Sequence, residues 1–170
     1  MPSLHVCPLS RLEETVLVTG ASHLLTLVSV GTAVTRPAAI AEGRHLTLYF
    51  SDIVEPIEGH VLPSVEHVEQ LLAFVRGWER TAPMVIHCWA GVSRSTASAF
   101  VAACALAPER DEAAIAQALR AASPMATPNR RIVALADDLL GRRGRMIAAI
   151  EAIGRGADAF EGAPFSLPLA

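Results

Sequence analysis

The residues that can do chemistry are contiguous. His87-Cys88-Trp89-Ala90-Gly91-Val92-Ser93-Arg94-Ser95 lies between a short apolar run, 84–87, and a run of small apolar residues, 94–106. The first reads as a strand and the second as a buried helix. A strand, a tight loop and a helix N-terminus make an anion site: successive backbone N–H groups can point inward, and the helix dipole favours negative charge. Gly91 lets the loop turn tightly and lets backbone approach a ligand. Five residues separate Cys88 from Arg94, whose planar guanidinium can grip two oxyanion oxygens where a lysine ammonium could not. An arginine at a helix start otherwise opposes the dipole, a conflict that a bound anion resolves. Cys88 faces the same N–H groups, and such surroundings stabilise a thiolate. A thiolate beside an oxyanion cradle and an arginine is suited to attack phosphorus.

Elements must hold that loop in place. Residues 4–7, 24–30, 46–50 and 84–87 are apolar runs of strand length, and the last, short and uninterrupted, reads as a central parallel strand. Residues 10–15 have room for a turn of helix. Residues 51–62 form an acidic loop broken by proline and glycine, holding Asp52, Glu55, Glu58 and His60. Pro63 opens a helix in which Val65, Val68, Leu71, Leu72 and Val75 recur at helical spacing to about Trp78. Further helices are expected over 109–122, from Thr127 as N-cap with Pro128 at the first position to Gly141, and over 146–153. Residues 1–154 read as one domain and 155–170 as a flexible tail. Strands and helices alternate early and helices dominate late. The expected fold is α/β, with a mostly parallel central sheet flanked by helices on both faces and a phosphate-binding loop between a central strand and a buried helix.

The segment HCWAGVSRS resembles the active-site motif of the cysteine-dependent protein tyrosine phosphatases: His-Cys, five residues, then Arg-Ser or Arg-Thr. Its Ala-Gly-Val-Ser-Arg-Ser wording is most similar to the dual-specificity branch, here expected in a bacterial form. The resemblance is carried by residues 46–140 and implies a tyrosine phosphatase-like fold. It implies that Cys88 attacks phosphorus and becomes a phosphocysteine. Arg94 and the loop N–H groups of Trp89, Ala90, Gly91, Val92 and Ser93 would hold the phosphoryl oxygens. Ser95 would donate to the departing sulfur, and His87 would bond backbone near Cys88 and favour the thiolate. The leaving alkoxide or phenoxide must be protonated. The family takes this proton from an aspartate on a loop upstream of the motif. Asp52 fits, with Glu55 and Glu58 as competitors in the same loop, and would then activate water for the second step. Thr127-Pro128-Asn129 resembles a Pro-Asn pair that opens a helix near the loop. Asn129 either bonds the loop or positions water, or it is a plain helix-start residue.

The implied activity is hydrolysis of phosphomonoesters, on phosphorylated proteins or small phosphate esters, with inorganic phosphate or sulfate able to occupy the loop. No metal and no other cofactor is implied. Two further readings are a phosphate-binding pseudophosphatase and a phosphatase of phosphoinositides. The second often carries lysine inside the loop, whereas Trp89, Ala90, Val92 and Ser93 supply no charge. Low-molecular-weight phosphatases and arsenate reductases of that type place the cysteine motif near the N-terminus. Rhodanese-like domains lack the upstream aspartate and the Ser-Arg-Ser ending.

Composition agrees with a globular enzyme. The chain has 170 residues, 52% hydrophobic and 18% charged, which excludes intrinsic disorder and allows a core without disulfide or metal staples. A net charge of −3 gives no basic footprint for nucleic acid. Residues 15–35 are uncharged but too polar for a membrane span, and no signal-peptide pattern is apparent. Cys7, Cys88 and Cys104 are odd in number and widely spaced, which fits a reducing cytoplasm. Cys7 and Cys104 read as small core residues and could partner Cys88 only if the fold brought them close. His60 and His67 read as surface residues, and His87 has no metal-ligand spacing partner. Arg142, Arg143 and Arg145 read as a solvated basic cluster, and Asp137-Asp138 as exposed helix surface. Trp89 is either a lid or a packing residue.

Overall fold

In the computed structural model, which describes residues 2–170, five strands form one sheet. They are β1 (Ser3–Pro8), β2 (His23–Val28), β3 (His45–Tyr49), β4 (Met84–Cys88) and β5 (Phe165–Pro168), in the order β3-β2-β4-β1-β5. The first four run parallel, and β5 pairs antiparallel with β1. β4 is the central strand and all of its residues are buried, as its unbroken apolar reading required. Side chains alternate across the sheet. Leu4, Val6, Leu25, Leu27, Met84, Ile86 and Cys88 enter the larger core, and Cys7, Leu24 and Val85 enter a smaller one.

Helix α1 (Leu12–Thr19) and Ile40 cover the smaller core. The other face carries α2 (Val65–Arg76), α3 (Arg94–Leu106), α4 (Glu112–Ala122), α5 (Arg130–Leu139) and α6 (Arg145–Ile153). Helix α3 packs on β1 and β4 and is ringed by α2, α4 and α5. That is why its sequence is small and apolar all round: every residue from Arg94 to Cys104 is buried. Helix α2 begins at Val65, two residues after the proline expected to open it. Ser64 is the N-cap, in a capping box with His67, whose Nδ1 accepts the Ser64 N–H at 3.1 Å. Among the described residues no helix is long and apolar enough to cross a membrane.

Four expectations need correction. Residues 155–170 are not a loose tail, because β5 adds to the open edge of β1 and buries Leu167 and Leu169. Thr127 is not the N-cap of α5. Asn129 Oδ1 accepts the N–H groups of Arg131 and Ile132, while Thr127 N donates to Val92 O. Asp137 is buried, and its two oxygens accept Gly144 N (2.7 Å) and Met146 N (2.9 Å) at the start of α6. Arg142 is also buried. It donates to Glu112 Oε1 and Cys104 O, each at 2.8 Å, so the basic cluster is partly an internal ion pair.

Candidate active site

The loop that follows β4 closes on itself before α3 begins. Cys88 Sγ is buried, accepts the Gly91 N–H at 3.2 Å and lies 3.1 Å from Ser95 Oγ. Gly91 has φ 69°, and a Cβ there would lie 2.7 Å from Pro8 N, so both conformation and space call for glycine. The loop's carbonyls are held by donors from outside it. Trp89 O accepts Leu9 N (3.1 Å), Ala90 O accepts Gly162 N (2.8 Å), Val92 O accepts Thr127 N (2.9 Å), and Ser93 O accepts Asn129 N (3.2 Å). A planar trans peptide sets each following N–H opposite its carbonyl. For Ala90–Gly91, the opposite side is where Cys88 Sγ sits.

Arg94, at the first position of α3, is buried and held through one nitrogen. Its Nη1 donates to Phe50 O (3.0 Å) and Ser29 Oγ (3.2 Å). Its Nε is the one buried side-chain polar atom without a partner among the described residues. A buried, unpaired N–H on a fixed guanidinium is a costly group that an oxyanion would satisfy. The acidic loop after β3 comes to the same place. Asp52 Oδ1 accepts from Ser93 Oγ (2.7 Å) and from Asn129 Nδ2 (2.8 Å). Asp52, Glu55 and Glu58 are all exposed, and of the three it is Asp52 that is bonded to the loop and to Asn129. Asn129 caps α5, in line with its helix-start reading, and its Nδ2 donates to Asp52 Oδ1 and Ile53 O, a contact that the sequence does not indicate; the bond to the loop comes from its backbone N–H, on Ser93 O. A cavity of about 230 Å³ beside this junction is lined by Asp52, Val92, Ser93, Thr127, Arg155 and Asp158, among others.

His87 points to the opposite face of the sheet from Cys88. Its Nδ1 lies 3.1 Å from Cys88 O, so that nitrogen donates. Its Nε2 then accepts from Thr26 Oγ1 (2.8 Å), and Thr26 Oγ1 accepts in turn from His45 Nε2 (2.8 Å). Burial lowers the pKa of His87 to about 4, against the backbone bond to Cys88, so the ring is neutral and its tautomer is fixed. Cys7 is paired with His87 across the strands and packs in the smaller core, away from the side of the sheet that carries Cys88. Burial pushes the thiols of Cys7 and Cys104 up to about 12. Trp89 is half exposed and meets the exposed Phe160 edge-on, with ring centroids 5.2 Å apart.

Sequence reasoning did not find Ser29 and Phe50 O, which hold Arg94, nor Thr26 and His45, which hold His87. It also missed Gly162. Each acts through bonds to residues distant in the chain, and none sits in a motif of its own.

Comparison with protein families matches the chain to the protein-tyrosine phosphatases over residues 58–129. That span is less than half of the chain; it holds Cys88, Arg94 and Asn129 and begins after Asp52. A comparison with curated protein sequences finds no match. Among solved structures, a putative mouse dual specificity phosphatase complexed with zinc tungstate is 20% identical, with a TM-score of 0.61 over 88% of this chain and 86% of that one. Human DUSP28 is 20% identical, with a TM-score of 0.62 over 82% and 94%. The Cydia pomonella PTP-2 phosphatase is 19% identical, with a TM-score of 0.62 over 79% and 84%. At these identities the likeness is one of fold: the α/β arrangement and its mostly parallel sheet are those of these phosphatases.

Proposed function

We propose that the chain is a phosphomonoester hydrolase of the protein-tyrosine and dual-specificity type, working through a phosphocysteine on Cys88. One observation carries this reading. Cys88 Sγ lies within a loop that donates an N–H to it, and the same loop, through Ser93, binds the carboxylate of Asp52. The fold shared with phosphatases and the family match over residues 58–129 support it.

The steps follow from the residues. The Cys88 thiolate attacks phosphorus, forming the S–P bond as the P–O bond to the leaving group breaks. Arg94 Nε and the loop N–H groups take the charge on the equatorial oxygens. Asp52 takes its two hydrogen bonds on Oδ1, which leaves Oδ2 to carry the proton to the leaving oxygen. Water then attacks phosphorus, Asp52 accepts its proton, and the S–P bond breaks with Ser95 donating to sulfur. Phosphate leaves and the thiolate is restored. Substrates of this reading are phosphorylated proteins or small phosphate esters, acted on in a reducing, cytoplasmic compartment.

The test is p-nitrophenyl phosphate hydrolysis by the wild type and Cys88→Ser, from pH 5 to 8, with EDTA present. Metal-independent turnover that is blocked by vanadate and abolished in Cys88→Ser is the expected result. A folded wild type that binds vanadate without turnover would instead support phosphate recognition without catalysis. Turnover lost on chelation would sink the cysteine mechanism.

A further inference from the structure

After α6 the chain does more than close the sheet. Gly156 N donates to Thr127 Oγ1 (3.1 Å), Ala157 N to Pro124 O (3.0 Å) and Gly162 N to Ala90 O (2.8 Å). β5 then pairs with β1 and buries Leu167. Residues 154–164 are therefore a strap, fixed at one end to the 124–127 loop and at the other to the sheet, with its middle on the phosphate-binding loop. At Gly162 a Cβ would lie 3.0 Å from Gly91 O and 3.6 Å from Val92 Cγ2. Gly162 is not among the residues with positive φ, so lack of space, not backbone conformation, is what calls for glycine there.

We propose that Gly162 is a positioning residue for Cys88: the strap holds the Ala90–Gly91 peptide so that the Gly91 N–H stays on Cys88 Sγ. This rests on the reading of Cys88 as the nucleophile. The two ends of that peptide are bonded in opposite directions, Ala90 O to Gly162 N and Gly91 N to Cys88 Sγ. Among the described residues, Gly162 N is the donor to Ala90 O. The peptide also ends in a glycine, whose dihedral freedom makes rotation easy once the outer bond is lost. The carbonyls on the α3 side differ. Val92 O also accepts Thr96 Oγ1 and Ser93 O also accepts Ala97 N, both from α3, so those peptides keep an anchor without their outer partner. Trp89 O, like Ala90 O, has one remote donor, Leu9 N, but of these two peptides it is Ala90–Gly91 whose N–H meets Cys88 Sγ.

The experiment uses the full chain with Gly162→Ala and Gly162→Val. Three quantities are read: the pH profile of Cys88 alkylation by iodoacetate, kcat and KM on p-nitrophenyl phosphate, and Tm. Losing one oriented N–H from the reacting group should lower kcat on the order of tenfold to a hundredfold, more for Val than for Ala, with KM changing less. The alkylation profile should move to higher pH. Ile115→Val, a core substitution in α4, provides the comparison and should lower Tm without moving the profile. If Gly162→Val does not fold, Gly162→Ala carries the test alone. A Gly162→Ala protein with lowered Tm but the wild-type profile and kcat would overturn the proposal, even in an active phosphatase. If the wild type shows no turnover, the phosphatase reading fails separately, and the alkylation profile still decides whether Gly162 acts on the sulfur.

Discussion

At the scale of single residues, Asp52 is the position where sequence distance hides proximity. The loop from His87 to Ser95 is legible because its residues are contiguous, and their order alone suggests the anion cradle proposed for it. The carboxylate is a different case. Asp52, Glu55 and Glu58 share a loop, and nothing in their spacing separates them. The separation comes from Ser93 and Asn129, the residues just before α3 and α5, whose side chains reach Asp52. Asp52→Ala should lower kcat on alkyl phosphates by about 10²–10⁴, the span of general acid catalysis, and by less on p-nitrophenyl phosphate, whose leaving group needs less help. Asn129→Ala should lower kcat by a smaller factor. It should also cost about 1 kcal/mol of stability through the lost cap. Steady-state rates on both substrates check this. Full activity in Asp52→Ala with loss in Glu55→Ala would move the acid to Glu55.

At the scale of elements, the helical face depends on a buried charge cluster that reads as surface in the sequence. Glu112 sits at the start of α4 and binds Arg142 and Arg145 from the turn into α6. Burial works against its charge, but hydrogen bonds from Arg145, backbone and Arg142 outweigh this and hold its carboxyl below the usual range. Arg142 looks solvated in the sequence because its partner lies thirty residues away in the chain, whereas Arg145 is exposed, as it reads. Asp137 reads as surface for the same reason, since the N–H groups it accepts, those of Gly144 and Met146, lie beyond its own helix. Arg142→Met should destabilise by roughly 1–3 kcal/mol, because it leaves the buried Glu112 carboxylate with Arg145 alone and removes the donor to Cys104 O. The pair Arg142→Met with Glu112→Gln should recover part of that loss. Chemical denaturation of both variants measures it, and equal stabilities would show that Glu112 does not need Arg142.

At the scale of the whole molecule, histidines that folding wholly or partly buries set how stability responds to pH. Burial is the leading cause of a lowered pKa at His5, His23, His45, His67 and His87. A histidine lowered in the folded state is protonated first in the unfolded chain as pH falls below about 6.5. Its contribution is complete above that value and is lost as pH falls toward the folded pKa. For His87, about 4 when folded, the loss is on the order of 3 kcal/mol. Tm should therefore fall between pH 6.5 and 4, and less steeply in His87→Gln. A flat Tm over that range would contradict the neutral, buried chain of His45, Thr26 and His87.

The sequence by itself determined the α/β plan, the central place of β4, the buried character of α3 and the run of residues that joins them. Each of these follows from local order: apolar period, flanking proline and glycine, and the run from His87 to Ser95. Only the tertiary structure decided which acid meets the loop, what holds Arg94 and His87, and where the last residues go. Residues 155–170 look loose because a short polar stretch and a four-residue strand carry no periodicity of their own. They become ordered because β1 presents an unpaired edge to Leu167 and its neighbours, and because Ala90 O accepts the Gly162 N–H. A hydrogen bond between distant residues leaves no pattern in the order of residues, so it becomes visible only when the chain is folded.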